Sequence, residues 1–591
     1  MNRRSPALYG ILGLVSFIAG CDYGSGPAPV FRPDQVRGPL PTQGRQAAPA
    51  APAFDPSAAL GELSDQEKKR RDAILNRVIT LMKSAAINPA GGQIRIATDS
   101  LNELFEQGTI ASDYAVSAGE ARFLELKLPE LFRDPQPVVD QIISKKFTDR
   151  DARHIEDCMF YHVVATRVAG EGDELTRVRR IFDWVLRQVQ LVPPNSLSGD
   201  GIPQAEVRPA DALFRGMGVE QGGRWSERGW LFMALCRQIG VDVGILTYSP
   251  RRASGPVADQ AAPAQPPVAW ACAAAIGKEL YLFDAALGMP IPGPDGTGVA
   301  TLNQAIEIPD VLDRLSLPDQ HYTYRASRAD LTASPTKIGV LVDSSLAYMA
   351  PRMRLLQGQL RGEYKTILFR DPAEQAVKFR EALGPRFGGT TLWELPIKVE
   401  TLLFSDAEFV QSTLISLRFF DPKLPLMLAR TAQLRGDLPD ALQRLATLRF
   451  ADNPVMNNKE QTPIPPEVQQ GLDVYATCFL AECQLDSGYP DKAEEIYRKA
   501  LDLIPEPGPG RNAFYMLRWS AQSNLARLCE ARGDVAGAID FYTRPDPTPQ
   551  HVGNLIRARE LVWADPFADP IPTPPPAPAD RSGPPPTATN P

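Results

Sequence analysis

The chain contains 591 residues, of which 43% are hydrophobic and 23% are charged, and its formal net charge at pH 7 is −7. No cluster of basic residues is interleaved with aromatic residues, so nucleic-acid binding is not expected. The four histidines and seven cysteines form no group with the spacing of a zinc site, and we expect neither a metal nor another cofactor. No two cysteines form a CxxC pair, so we expect buried free thiols, although an exported protein can form disulfides. This applies to the six body cysteines, which are Cys158, Cys236, Cys272, Cys478, Cys483 and Cys529.

The N-terminus has a three-part export pattern. Arg3 and Arg4 precede an apolar, uncharged stretch over residues 7–19, which Ile18-Ala19-Gly20-Cys21 closes. The stretch is shorter than the roughly 20 residues that a membrane-spanning helix needs, and its small residues suit a cleavage site. It resembles the signal peptide and lipobox of bacterial lipoproteins, in which the cysteine is acylated and becomes the new N-terminus. The resemblance implies a lipid anchor on Cys21; the alternative is an uncleaved anchor helix.

Two proline-rich segments flank the body of the chain. Residues 22–59 and 566–591 contain too few large apolar residues to form a core, so we expect a semi-extended linker and a disordered tail. Asp22, directly after the lipidation position, resembles the inner-membrane retention signal of enterobacterial lipoproteins. The N-terminal pattern therefore predicts a membrane-anchored lipoprotein that faces the periplasm, with the inner membrane favoured by Asp22.

Residues 60–150 have the pattern of a small helical region. Ser64-Asp65-Gln66-Glu67 is a capping box, and apolar residues at helical spacing follow it as far as Asn88-Pro89. Beyond residue 150 the pattern changes to helices followed by short strands, which predicts an α+β fold. The predicted elements are helices over Glu174–Leu191, Pro209–Arg215 and Trp225–Ile239 and strands over Val241–Tyr248, Val268–Ile276 and Leu280–Asp284.

Four short runs lie beside or within these predicted elements. They are Gly216-Met217-Gly218, Gly223-Arg224-Trp225-Ser226-Glu227-Arg228-Gly229, Val268-Ala269-Trp270 and Tyr281-Leu282-Phe283-Asp284. In their order and setting they resemble the transglutaminase-like family of the papain-like superfamily. That family has a glycine turn, a Gly-x-Cys-x-Asp/Glu-x-Ala motif opening its central helix, a His-x-Trp strand and an Asp closing the next strand. The resemblance implies a central helix with Trp230 and Leu235 buried and Trp270 on the facing sheet.

The scaffold of that family is matched, but its catalytic residues are not. The family's nucleophile is a thiol at the N-terminus of the central helix, where the helix dipole lowers its pKa, and a neighbouring imidazole takes its proton. In this sequence Trp225 stands at the thiol position, Val268 stands at the imidazole position, and only the orienting carboxylate, Asp284, is retained. The resemblance therefore implies a pseudoenzyme with no catalytic residues, in which Trp225 and Val268 face each other near Asp284.

A cysteine-type amidase or transglutaminase with relocated catalytic residues is the alternative. Cys236 lies eleven residues after Trp225 along the same predicted helix, which is about 16 Å at the rise of an α-helix and too far from a base at the expected place. Cys272 has no histidine beside it in the sequence, and Ser226 needs a base even more than a cysteine does. The enzyme hypothesis therefore requires that the fold bring a histidine within hydrogen-bond reach of a Cys or Ser side chain in a cleft.

One pattern of small and large residues occurs three times near the C-terminus. The copies are Leu428-Ala429, Gly436, Ala441 and Leu445; Leu480-Ala481, Gly488, Ala493 and Tyr497; and Leu525-Ala526, Gly533, Ala538 and Tyr542. They resemble tetratricopeptide repeats, with successive copies 52 and 45 residues apart instead of 34, which indicates enlarged loops. The alternative is three unrelated amphipathic hairpins. The resemblance implies an α-solenoid with a concave protein-binding surface.

These observations predict seven segments and a scaffold function. The segments are a signal peptide with lipobox over 1–21, a linker over 22–59, a helical region over 60–150, a transglutaminase-like domain over 151–330, a mixed connecting region over 331–420, tetratricopeptide-like repeats over 421–560 and a proline-rich tail over 566–591. We expect a lipid-anchored, non-catalytic protein that binds a protein or peptide through the repeats. Besides the enzyme, a purely structural spacer between membrane and wall remains an alternative, and it predicts neither a cleft nor an exposed apolar groove.

Overall fold

The computed structural model describes the following residues: 65–85, 93–106, 114, 116–192, 207–219, 227–249, 267–332, 337–405, 424–450, 466–504 and 515–564. No helix in these ranges combines the length and the apolar character that a membrane span requires. Cys21, Asp22, the linker, Trp225 and the proline-rich tail lie outside the described residues.

A helical part leads into a central sheet. Its helices are α1 (Asp65–Ala85), α2 (Gln93–Glu106), α3 (Ala118–Lys127), α4 (Gln136–Ile143), α5 (Asp149–Ala169), α6 (Glu174–Gln188), α7 (Pro209–Arg215) and α8 (Glu227–Gln238). Side-chain caps fix where the two long helices α5 and α6 begin. Thr148 and Asp151 form a capping box at α5, and the Asp173 carboxylate accepts a hydrogen bond of 2.7 Å from the Thr176 N–H at α6. Each cap satisfies backbone donors that the first turn of a helix leaves unpaired.

The central sheet is mixed and has six strands. Its strands are β3 (Asp242–Tyr248), β4 (Val268–Ile276), β5 (Glu279–Asp284), β6 (Met289–Pro290), β7 (Ile338–Val342) and β8 (Phe387–Leu392), while β1 (Gln190–Val192) and β2 (Met217–Val219) form a separate parallel pair. The order across the sheet is β6-β5-β4-β3-β7-β8. Strands β3 to β6 pair antiparallel in succession, β7 is antiparallel to β3, and β8 is parallel to β7. The predicted α+β fold with an antiparallel meander is confirmed.

The sheet continues beyond residue 330, into the segment that the sequence analysis described only as a mixed connecting region. Strands β7 and β8 both lie in that segment and complete one edge of the sheet. Short helices lie between and after the strands: α9 (Leu302–Glu307), α10 (Pro309–Asp313), α11 (Arg328–Thr332), α12 (Pro351–Gln357), α13 (Pro372–Leu383) and α14 (Glu394–Ser405). The sequence of β7 is a short apolar run. Such a run does not distinguish a buried strand from part of a buried helix.

The two faces of the sheet belong to different parts of the core. On one face, Cys272, Ala274 and Phe283 pack with residues of α8, including Trp230 and Leu235. Both α8 residues are buried, as predicted. On the opposite face, Trp270 packs with a second apolar cluster that includes Leu282 and Phe379. The pairing of β3 with β4 shifts so that Leu246 is opposite Ala271 and Thr247 is opposite Ala269. Trp270 is therefore the extra residue of a bulge, and its side chain faces away from α8.

The C-terminal part consists of three helical hairpins and one further helix. The hairpins are α15 (Pro425–Arg435) with α16 (Leu438–Phe450), α17 (Pro466–Asp486) with α18 (Pro490–Leu503), and α19 (Tyr515–Ala531) with α20 (Val535–Tyr542); α21 (Pro549–Ala564) follows. Gly436, Gly488 and Gly533 turn the chain between the paired helices at φ values of 91°, 80° and 76°. Only glycine adopts this conformation at no steric cost. The predicted repeat of three hairpins is confirmed.

Glu120 is a buried carboxyl group within the helical part. It lies in α3 with 0% of its surface exposed, and neither carboxyl oxygen has a hydrogen-bond partner. The nearest guanidinium, that of Arg354, is 4.0 Å from Oε2. Burial, reinforced by the negative charge of Asp371, raises the pKa of Glu120 to about 7. The folded chain therefore holds a proton on this group that the unfolded chain releases at lower pH.

Replacing Glu120 by Gln should make stability less dependent on pH. A carboxyl group with a raised pKa in the folded state stabilises the fold at low pH, and that stability is lost as the pH rises from the ordinary value through about 7. From pH 4 to pH 8, the wild type should lose up to about 3 kcal/mol relative to Glu120→Gln. Urea unfolding of both proteins at several pH values measures this difference. Parallel curves for the two proteins would contradict the assignment.

Candidate functional site

Asp284, the retained carboxylate of the expected triad, holds a loop and does not face an imidazole. It ends β5 and is fully buried. Its two oxygens accept hydrogen bonds from Arg325 Nη2 at 2.6 and 2.7 Å, and Oδ2 accepts one of 2.9 Å from the Tyr324 hydroxyl. The backbone N–H groups of Ala286 and Leu287 donate to Oδ1 at 3.0 and 2.9 Å. With five hydrogen bonds from four donor groups, the carboxylate fixes the chain that leaves β5.

Val268, the residue at the expected imidazole position, begins β4 and is half-buried. It is paired with Tyr248 and packs against the apolar cluster on the face opposite α8. The Tyr248 hydroxyl donates to the carbonyl of Arg325, next to the ion pair of Asp284. Trp225 lies outside the described residues, so the expected contact between Trp225 and Val268 stays a prediction.

The fold does bring one cysteine within reach of a histidine. Cys158 and His154 lie one turn apart on α5, with Sγ 3.5 Å from Nε2. His154 Nε2 also lies 2.9 Å from the carbonyl oxygen of Leu368, and the Cys158 thiol is 3.3 Å from the Tyr348 hydroxyl. The imidazole and the thiol are buried, with residue exposures of 8% and 0%. A substrate therefore has no route to this thiol without opening the core.

The electrostatics of this pair also oppose proton transfer. Burial lowers the pKa of His154 to about 4 and raises the pKa of the Cys158 thiol well above its usual range. Both groups are therefore neutral near pH 7, whereas a nucleophilic cysteine needs its thiolate form. Burial likewise raises the pKa of Cys236 and of Cys272. All six body cysteines are buried and free of disulfides, and no group of three or more His, Cys, Asp or Glu side chains in the described ranges is placed to hold a metal ion.

The start of α8 is held by a buried arginine. Arg228 is fully buried, and its guanidinium donates from Nε and Nη2 to the carbonyl of Val189 at 2.9 and 2.5 Å. Nη1 donates to the carbonyl of Ala285 at 3.1 Å, and Nη2 donates to Oε1 of Gln550 at 2.7 Å. One side chain thus connects the end of α6, the loop after β5 and the C-terminal helix α21. The start of α8 is therefore a junction between three segments of the chain.

The first helices of the hairpins bind the rest of the chain. In α15, the buried Arg430 donates from Nη2 to the carbonyl of Leu213 in α7 at 3.0 Å. Its Nη1 donates to Glu482 of α17 at 2.5 Å, and its guanidinium stacks over Phe479 with 4.1 Å to the ring centroid. Phe479 in turn packs where a side chain on Gly216 would stand. Arg430 therefore links two hairpins to α7.

The contacts continue along the array. Asp486, at the end of α17, accepts from Arg187 Nη1 and from the indole N–H of Trp184, both at 3.4 Å, and Arg167 lies 3.7 Å away. Asn524 of α19 donates to the carbonyl of Arg187 at 3.3 Å. Val192 and Met217, from β1 and β2, join the apolar core of the array. In α17 and α19, long runs of consecutive residues are buried, so both helices are covered on all sides. The second helices of the hairpins cover one side, and the helices and strands before the array cover the other.

Helix α21 closes the array against the sheet. Its Leu555 and Ile556 pack in the apolar cluster of the sheet, whereas Ala558 packs in the core of the hairpins. Gly553 lies so close to the backbone of Leu287 that a Cβ atom would overlap the carbonyl oxygen. Arg559 donates to the carbonyl of Ser316 at 2.8 Å. Helix α21 is not among the elements predicted from the sequence, although the apolar spacing of Leu555, Ile556 and Ala558 indicates a helix here.

Comparison with known families supports the repeat array and gives no match to the rest of the chain. Residues 426–447 and 519–541 match the tetratricopeptide repeat family. They correspond to the first and third hairpins, and the second hairpin has the same turn and the same buried positions. No curated protein and no solved structure matches the chain. Tetratricopeptide repeats generally mediate protein–protein interactions, which suggests a protein-binding scaffold.

The contact of α21 with the sheet can be tested by two glycine replacements in helices. Alanine is the better helix former by about 1 kcal/mol, so Gly119→Ala in α3, where the new Cβ would lie 3.8 Å from that of Ala373, should leave stability unchanged or raise it. Gly553→Ala should destabilise the protein by about 1–3 kcal/mol, because the methyl group has no space beside Leu287. Chemical unfolding of both variants measures the effect. Equal behaviour of the two would show that α21 does not pack on Leu287.

Proposed function

We propose that this protein is a lipid-anchored scaffold of the bacterial envelope, in which a pseudo-transglutaminase domain and a tetratricopeptide repeat array bind a protein or peptide without catalysis. The observation that carries the proposal is the repeat array, with two segments matching the repeat family and three hairpins formed. The neutral, buried state of Cys158 and His154 supports the non-catalytic part. The lipid anchor and the periplasmic location rest on the N-terminal pattern that ends at Cys21.

One face of the repeat array packs against the rest of the chain. Its first helices contact α6 and α7 through Arg430, Asp486 and Asn524, and Gln550 of the following helix α21 contacts Arg228 of α8. A partner therefore binds elsewhere on the array or replaces part of the array that now covers the core. Affinity capture from a membrane fraction, with the full chain as bait, should recover a defined protein partner. Recovery of lipids with no specific protein would favour the structural spacer.

The lipid anchor is tested by replacing Cys21 with Ser. The variant cannot accept the acyl chains that hold a lipoprotein to the bilayer, so it should appear in the soluble fraction or remain unprocessed. Fractionation of cells that express each form, with mass spectrometry of the N-terminal peptide, measures this. A processed variant that still sediments with washed membranes would contradict the assignment of Cys21.

The pseudoenzyme is tested with a thiolate-trapping electrophile. The wild type should not be labelled at Cys158, Cys236 or Cys272, because buried thiols stay protonated near neutral pH. Trp225→Cys together with Val268→His should gain at most slow labelling, whereas Trp225→Cys alone lacks the base. Peptide mass spectrometry locates any label. Rapid stoichiometric labelling of a wild-type cysteine, with loss of an amidase activity, would establish the enzyme instead.

A further inference from the structure

The side chain of Gln550 occupies a pocket at the start of α8. It is fully buried, and its Oε1 accepts a hydrogen bond of 2.7 Å from Arg228 Nη2. The pocket exists because residue 288 is glycine, at a φ of 70°: a Cβ there would lie 3.2 Å from Cγ and Cδ of Gln550. The pocket is thus bounded by the guanidinium of Arg228 and by Gly288, and it holds the planar carboxamide of Gln550.

The segment that enters this pocket is incompletely satisfied. Nε2 of Gln550 is buried and has no hydrogen-bond partner. The same is true of Oγ1 of Thr548 and of Oδ2 of Asp546, which immediately precede α21. A buried polar group without a hydrogen-bond partner destabilises the folded state, because it has lost its hydrogen bonds to water and gained none in the protein. The chain's own segment is therefore an imperfect occupant of the pocket, with an N–H donor where the pocket offers no acceptor.

Helix α21 can leave without breaking a strand pairing. No described element follows it. Its described contacts are with Arg228 of α8, with α19 through Arg557–Glu530 and Asn554–Ser523, with α20, with the loops at Leu287 and Ser316 and with the two apolar clusters. Elements at the end of a packed structure open locally more readily than those enclosed by others, as α17 and α19 are here. Helix α21, which covers Arg228, is thus the part of the array that a binding partner displaces with the least rearrangement.

We propose that the pocket at Arg228 binds a glutamate side chain carried on a helix of the protein partner, and that α21 is an internal ligand that fills the pocket until the partner replaces it. A carboxylate has the shape of the Gln550 carboxamide and carries no N–H donor, so it removes the unpartnered Nε2. Its hydrogen bond to the guanidinium is also charge-assisted and stronger than that of an amide. The inference rests on the proposed scaffold function and names the chemistry of its partner.

The test uses the full chain and a labelled peptide with the sequence of residues 545–564, carrying Glu in place of Gln550. Fluorescence anisotropy should show the tightest binding to Gln550→Ala, weaker binding to the wild type, and the weakest binding to Gln550→Glu, whose own helix is held more firmly. The expected difference between the two variants is at least tenfold in Kd. The same peptide with Ala at this position should bind at least tenfold more weakly to Gln550→Ala. Gln550→Met, which keeps the packing and removes the polar atoms, replaces Gln550→Ala if that variant does not fold.

Two results would overturn the inference. One is the absence of binding of the Glu peptide to both Gln550→Ala and Gln550→Met in folded form. The other is a Glu peptide that binds no better than the natural Gln peptide, which would mean that Asp546 already balances the charge of Arg228. Partner capture by the wild type separates the two proposals: if Gln550→Glu captures the same partner equally well, the scaffold stands and the pocket is not its binding site.

Discussion

The guanidinium of Arg228 constrains the rest of the structure, because a buried cation with five N–H donors is stable only where acceptors surround it. Those acceptors come from Val189, Ala285 and Gln550, which lie far apart in the sequence. Satisfying one side chain therefore requires that the end of α6, the loop after β5 and helix α21 meet at one point. The start of α8 is fixed there as well, since Arg228 belongs to its first turn.

The same principle joins the array to the core along its length. Arg430 is buried and reaches a carbonyl of α7, and Asp486 receives donors from α5 and α6. Each of these groups would be left unpaired in a low-dielectric interior if the array separated from the core, which is costly for charged groups. The repeats thus stabilise the packing of their own chain around α5, α6 and α7. Their family resemblance alone, which implies an open protein-binding surface, does not reveal this.

What the sequence predicts correctly is what local rules determine. Gly436, Gly488 and Gly533 must adopt positive φ, and Ala429, Ala481 and Ala526 must be small where helices approach, so the hairpins are visible as a spaced pattern. The strands of the meander follow from their short apolar runs, which turns separate. By contrast, the contacts of Arg228, Arg325 and α21 are with residues tens to hundreds of positions away in the sequence. No local pattern specifies these contacts. The contact of Cys158 with His154 is visible as an i, i+4 spacing, but its burial is decided by the fold.

The first helices of the hairpins are bound to the core, so that hairpins and sheet form one cooperative body. Native-state hydrogen exchange with mass spectrometry tests it most directly. We expect amides of α17 and α19 to exchange with the same unfolding free energy as those of β3 and β4, since neither helix can open while the sheet is folded. Exchange of α17 and α19 together at a clearly lower free energy, with β3 and β4 still protected, would contradict it.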